Sequence, residues 1–352
     1  MSSGARKAIF STAAALLGAW IAFDLLVLAY GESPVRLLTL LVQGTWGSPY
    51  GIGQVLFKAT PLLFAGLAVH VGLRAGLFNI GAEGQITVAS LGVAVLAAKL
   101  PPQMPAALAV GCSLVAAAGF GAAWAYLPAI LRAHYGAHEV ISTIMMNRLA
   151  EACAGLGFAY GLSRPDTIRT PDIAPAARIP RLESAIPALA GSAASMALVL
   201  AVAMTALVVW AGRRTYLGRE MALLAQNPVA CAAERIPVQR RLVQALAVSG
   251  AIAALVSSGT VLGYKGYYER GLGAGAGFTG LAVALLGRES AIGLVLAALL
   301  FGTLAQGGLA LNAYVPMEVM DVIQAVVIVA VALADVRIRS LIAGSLRVAV
   351  AR

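Results

Sequence analysis

Apolar runs of about 20 residues, the length that crosses a bilayer as a helix, recur along this chain. They begin near Ile9, Ile52, Ile86, Pro105, Val140, Ala188, Leu242, Gly277, Ala291 and Pro316 and take up most of its 352 residues. The expected fold class is therefore all-α, a polytopic membrane protein of about ten transmembrane helices. Composition agrees: 60% of residues are hydrophobic, 11% are charged and the mean hydropathy is +0.87, outside the soluble globular range. Ile9 to Tyr30 follows Arg6 and Lys7 as the apolar region of a signal peptide would, but it is longer than such a region and reads as the first span. Asp24 inside it has no explanation in the sequence.

The formal net charge of +10 has a topological reading. With a cytoplasmic N-terminus and alternating spans, Arg6, Lys7, Arg74, Arg132, Arg213, Arg214, Arg219, Arg235, Arg240, Arg241, Arg288, Arg337, Arg339, Arg347 and Arg352 all fall inside, the majority of the 25 basic residues. That is the positive-inside distribution, and nucleic acid is not needed to account for it. Cys112, Cys153 and Cys231 are scattered, without C-x-x-C spacing or clustered histidines, so neither a disulfide framework nor a metal site is supported.

The chain reads as a single membrane domain over residues 1–352. Its first half covers about 1–162, an external loop covers 163–187, and the second half covers about 188–352. The external loop, SRPDTIRTPDIAPAARIPRLESAIP, has no helical period and contains five prolines. The second half contains a cytoplasmic loop, 213–241, in which TYLGREMALLAQ can form a short helix, Asn227-Pro228 starts another, and Ile236-Pro237 ends it. The glycine-rich AGLFNIGAEGQ after one apolar run is echoed by GLGAGAGFTG after another, about five spans later. An odd number of spans inverts the second copy, which gives two inverted pseudo-repeats with interrupted helices, a common transporter plan.

Polar groups inside the spans mark candidate sites. A carboxylate among lipid tails costs about 2.5–3.5 kcal/mol even on a lenient scale, so Glu83 should face protein or water. If Asn79 to Gln85 is helical, Asn79 and Glu83 share one face, and Gly81 and Gly84 admit a close neighbour. In the fifth span Glu139, Thr143, Asn147 and Glu151 recur every four residues, with Arg148 beside them. The stripe reads either as the lining of a solute route or as interhelical hydrogen-bond glue. Gly271, Gly273, Gly275, Gly277 and Gly280 surround Phe278 and Thr279 and suit either a flexible gate or dense packing. Tyr264, Tyr267 and Tyr268 read first as an interfacial aromatic belt.

GLFNIGAEGQ (76–85), EVISTIMMN (139–147), LGREMALLAQNPVACAA (217–233) and GAGAGFTGLAVALLG (273–287) together resemble the permease subunits of bacterial ABC importers for nucleosides and simple sugars. The resemblance covers nearly the whole chain and implies a type II importer-like permease in the cytoplasmic (inner) membrane, with both termini cytoplasmic. It implies two permease subunits, identical or related, together with ABC ATPase subunits and an extracytoplasmic solute-binding protein. ATP and Mg would be bound by the ATPase, with no cofactor here. On this reading Gly218, Arg219, Glu220, Asn227, Pro228, Ala232, Ala233, Glu234 and Arg235 form the ATPase-coupling element. The translocation path for a small polar solute would use Asn79, Glu83, Gln85, Glu139, Thr143, Asn147, Phe278 and Thr279. Arg164, Arg169, Arg178 and Arg181 would dock the binding protein. Two positions depart from the family: His138 stands where asparagine is usual and Arg235 where glycine is usual.

No lysine follows a glycine, so the chain has no G-x-x-x-x-G-K-[ST] phosphate loop and is not itself the ATPase by that route. His70, His134 and His138 form no evident Ser/His/Asp arrangement, which leaves no catalytic residues to name. The rival readings are a secondary transporter carrying protons on Glu83, Glu139 or Glu151, and a lipid-modifying membrane enzyme, for which no clustered constellation is visible.

Overall fold

The computed structural model describes residues 17–329 apart from 19, 20, 22, 23, 26, 29, 166, 288, 289, 317 and 327. Much of the expected first span, the end of the span expected from Pro316, Arg288 and the terminal basic residues used for the orientation argument lie outside the described residues. Within them the fold is all-helical, with isolated bridges in place of strands.

In chain order the helices are α1 (Pro34–Thr45), α2 (Pro49–Arg74), α3 (Ala82–Ala98), α4 (Ala106–Tyr135), α5 (Glu139–Gly157), α6 (Ala197–Arg214), α7 (Tyr216–Gln226), α8 (Pro228–Ala233), α9 (Val238–Ala254), α10 (Ala276–Gly287) and α11 (Ala291–Leu311). Among the described residues, five helical segments are long and apolar enough to cross a membrane: α2, α4, α6, α11 and Val238–Lys265, in which a π-type stretch extends α9. The apolar helices α3 and α10 are shorter. α5 has 19 residues and is more polar than its neighbours. These elements match the expected spans except at α6. That span starts at Ala197 and not near Ala188, because 3-10 turns at Leu182–Ser184 and Pro187–Leu189 and a left-handed Gly191 carry the loop further.

Two compact units divide the chain. In one, 1–51 with 303–352, Leu37 and Leu41 of α1 pack with Leu311, Val315, Val319, Met320 and Ile323. The other, Ile52–Gly302, contains every candidate site. In it α4 crosses α9 closely, where a Cβ at Gly121 would lie 2.2 Å from the Gly250 carbonyl oxygen. Backbone there touches backbone, as small residues allow in membrane helices.

Backbone hydrogen bonds tie the loop after α5 to the rest of its unit. Ile173 N–H donates to the Gly266 carbonyl (2.8 Å), Ile179 N–H to that of Leu262 (2.9 Å) and Ala174 N–H to that of Ala97 (2.9 Å). Thr170 and Tyr268 exchange two bonds, Thr170 N–H to the Tyr268 carbonyl and Tyr268 N–H to Thr170 Oγ1, each 2.9 Å. Tyr268 is thereby buried and stacked on Phe158, so it does not join Tyr264 and Tyr267 in an interfacial belt.

Candidate functional site: an interrupted helix against a two-helix loop

The chain leaves helical geometry between α2 and α3. Ala75 and Leu77 both donate their N–H to the Gly72 carbonyl, Gly76 is left-handed (φ 72°), and α3 starts only at Ala82. Asn79 is therefore outside a helix, and the one-face relation expected for Asn79 and Glu83 does not arise. Asn79 is fully buried. Its Nδ2 donates to Gln85 Oε1 (2.9 Å) and to Ser249 Oγ (2.7 Å), while Gln85 Nε2 donates back to Asn79 Oδ1 (3.1 Å). Ser249 on α9 in turn donates to the Ala68 carbonyl of α2 (2.6 Å).

Asn147 on α5 holds the same segment from another side. Its Oδ1 accepts the Gly84 N–H (2.8 Å) and its Nδ2 donates to the Ile80 carbonyl (3.0 Å). Two backbone groups exposed by the break are satisfied by one amide, as groups buried at membrane depth require. Thr143, one turn earlier, lies against Gly81: a Cβ there would sit 2.9 Å from Thr143 Cβ. Glu83, in the first turn of α3, reaches the second half, where its carboxylate accepts the N–H groups of Gly275 (2.6 Å) and Gly277 (2.9 Å) at the start of α10. A carboxylate on the free N–H groups of a helix N-terminus is stabilised by both hydrogen bonds and the helix dipole.

Five of the residues named from sequence, Asn79, Glu83, Gln85, Thr143 and Asn147, thus form one buried cluster, and the hydrogen-bonding groups described above are engaged by protein partners. Phe278 and Thr279 lie just beyond, on the first turn of α10, with Phe278 exposed and Thr279 half-buried. Glu139 stands apart: it opens α5 and lies 3.2 Å from the Arg132 guanidinium at the end of α4. Ser249, Arg132 and the N–H groups of Gly275 and Gly277 were not singled out as partners from sequence. Ser249 carried a faint signal, a lone hydroxyl in an otherwise apolar stretch.

Directly against the break lies the two-helix element α7–α8. Thr215 Oγ1 accepts the Gly218 N–H (3.2 Å) and starts α7, and Gly218 lies hard against Gly212. Asn227 starts α8 by accepting the N–H groups of Val229 (3.1 Å) and Ala230 (3.0 Å), with Pro228 at the first helical position. Both helices start where the sequence placed them, but α8 ends at Ala233, ahead of Ile236-Pro237, because Arg235 turns left-handed. Leu217 and Met221 pack with Ala75 and Leu77 of the break, Ala125 and Ala129 of α4, and Ala245 and Leu246 of α9. A Cβ at Gly76 would lie 3.1 Å from Ala225 Cα, so the break rests on the backbone of α7.

Glu220 pairs with Arg241 at the foot of α9, and Arg241 donates to Gln244 (2.6 Å). Arg219 lies over the Tyr216 ring. Ala232, Ala233, Glu234 and Arg235 are exposed, and Arg235 takes a left-handed conformation (φ 59°). That conformation favours glycine, which accounts for the residue usual in the resembling family. His138 precedes α5 without accepting a side-chain capping bond, the role asparagine fills well.

On the loop after α5, Arg164 and Arg169 share Asp172, at 3.0 and 3.3 Å, and Arg169 lies over the Tyr267 ring. Arg181 is 3.9 Å from Glu183. The Arg178 guanidinium sits against Gly266, where a Cβ would meet it at 2.5 Å.

Residues 51–332 match the family described as branched-chain amino acid transport system / permease component. The chain is 32% identical over 317 residues to a glucose ABC transporter permease protein of Haloferax volcanii, covering 86% of this chain and 81% of the relative. It is 32% identical over 321 residues to the guanosine ABC transporter permease protein of Bacillus subtilis, covering 88% of each. Identity is 30% over 337 residues to a nucleoside ABC transporter permease protein of Lactococcus lactis, covering 93% and 91%. Membership implies ATPase and binding-protein partners in general terms. The chain belongs to this permease family, and is a multi-pass membrane subunit of an ABC transporter, a transport component and not an enzyme.

Proposed function

We propose that this permease conducts a polar, uncharged, hydroxyl-rich solute, a nucleoside or simple sugar, into the cell. The names of its relatives, glucose, guanosine and nucleoside permeases, support that solute class. On this reading the chain sits in a bacterial cytoplasmic membrane with both termini inside. It pairs with a second permease, a copy or a relative, and ATP and Mg are held by the ATPase subunits. The observation that carries the mechanism is the contact of α7 with the interrupted helix, Ala225 on Gly76. An ATPase seated on Gly218 to Arg235 would push α7, and the push would reach Asn79 and Glu83 with no intervening layer.

Asn79, Glu83, Gln85, Thr143 and Asn147 would then be the hinge of the route, with Phe278 and Thr279 at its edge and Glu139 fixed beside Arg132. Outside, two guanidiniums on one carboxylate leave a net positive charge at Arg164 and Arg169, which suits acidic groups on a docking protein. Arg178 and Arg181 would extend that surface. The test is co-purification with the products of neighbouring genes, then ATP hydrolysis in liposomes with guanosine or glucose and their binding proteins. Stimulation by neither solute would overturn the assignment.

A further inference from the structure

α5 has two faces of opposite character. Thr143, Met146, Asn147, Ala150 and Ala154 are buried. On the other side Ile144, Met145, Leu149 and Leu156 are exposed, and among them lies an ion pair, Arg148 to Glu151 at 3.3 Å, with the two side chains 77% and 53% exposed. The helix has 19 residues and is therefore about 28 Å long at about 1.5 Å per residue, close to the roughly 30 Å hydrocarbon thickness. It follows the span α4 after a short turn at Gly136 and packs back against α3 and α4. Arg148 is thus about 14 Å from either end, near the depth at which lipid tails are least hospitable.

Each of these charges would cost about 2.5–3.5 kcal/mol against lipid, and an exposed pair returns about 1 kcal/mol or less. Such a pair is tolerated where it meets water or another protein surface and not lipid, and within this chain its two side chains are left uncovered. Its net charge is zero, and it offers guanidinium N–H donors next to carboxylate acceptors. That combination suits the hydroxyls and amide edges of a neutral solute and gives no preference to an ion.

We propose that the outer face of α5 lines the aqueous passage, and that Arg148 and Glu151 form a polar station that hydrogen-bonds a neutral, hydroxyl-bearing solute in transit. The inference rests on the reading that the chain conducts such a solute. To test it, the full transporter is reconstituted in liposomes with Cys112, Cys153 and Cys231 replaced by alanine, and Met145→Cys or Ala152→Cys is introduced on α5. Val202→Cys, on the exposed apolar side of α6, serves as the lipid-facing comparison. A charged, membrane-impermeant thiol reagent should label positions 145 and 152 at least tenfold faster than 202; equal rates would overturn the proposal. In a second arm Arg148→Leu/Glu151→Leu should raise the KM for guanosine or glucose uptake at least tenfold in a complex that still assembles, and an unchanged KM would also overturn it. If that variant does not assemble, the labelling rates decide. Labelling is read without solute, so failure of the cysteine-free parent to take up either compound counts against the functional reading alone.

Discussion

Glu83 and Gly277, 194 residues apart in the chain, meet where the Glu83 carboxylate accepts the Gly277 N–H at 2.9 Å. With the bond from Gly275 (2.6 Å), the interrupted segment of the first half holds the start of α10 in the second. Glutamine at 83 keeps one acceptor oxygen but turns its amide N–H₂ toward a backbone donor. A bond to a charged group is worth about 1.5–3 kcal/mol. Glu83→Gln should therefore lower stability by about 2 kcal/mol, read as a reduced thermal midpoint in detergent, and should reduce uptake in liposomes. An unaltered midpoint would show that the carboxylate does not clamp α10.

Asn147 serves two backbone groups with one side chain. Leucine has the same number of side-chain heavy atoms in a similar branched outline but serves neither, which leaves the Gly84 N–H and the Ile80 carbonyl without their partner. At about 1–3 kcal/mol for each buried group left unsatisfied, Asn147→Leu should cost on the order of 2–4 kcal/mol, measured as the shift in thermal midpoint with and without a stabilising lipid.

Coupling should be sensitive at Gly76. Alanine there is strained by the left-handed backbone, roughly 1–2 kcal/mol, and its Cβ presses on Ala225. Gly76→Ala should lower the solute moved per ATP hydrolysed by several-fold while ATP hydrolysis itself falls less. Parallel measurement of uptake and phosphate release checks this, and a constant ratio would separate the break from the lever.

The two family departures make opposite residues improvable. Arg235→Gly removes left-handed strain of about 1 kcal/mol, and His138→Asn adds an N-cap worth about 1 kcal/mol. The sites are on different elements with no shared partner, so the gains should add. Thermal midpoints of the singles and the double are the measurement.

Where the chemistry was local, the sequence was readable. Asn227-Pro228 announces a helix start through its own side chain and ring, and Gly76, Gly81 and Gly84 announce an interruption. The stripe in α5 shows what local reading misses. A spacing of four turns about 400°, so each step drifts about 40° on a helix of 3.6 residues per turn. Over the three steps from Glu139 to Glu151 the drift is about 120°, enough to leave Asn147 inside and bring Glu151 out. The pairings of Glu83 with Gly277 and of Asn79 with Ser249 depend on which helices become neighbours, which no single segment encodes. The late start of α6 had the same origin, since an apolar loop residue and an apolar helix residue look alike until the chain is folded.

At Gly121 and Gly250 two membrane-crossing rods are welded main chain to main chain, with no cushion of side atoms to shear. A displacement delivered to the foot of α9 through Arg241 would be shared with α4, so the stroke of an attached ATPase would turn the two as a pair.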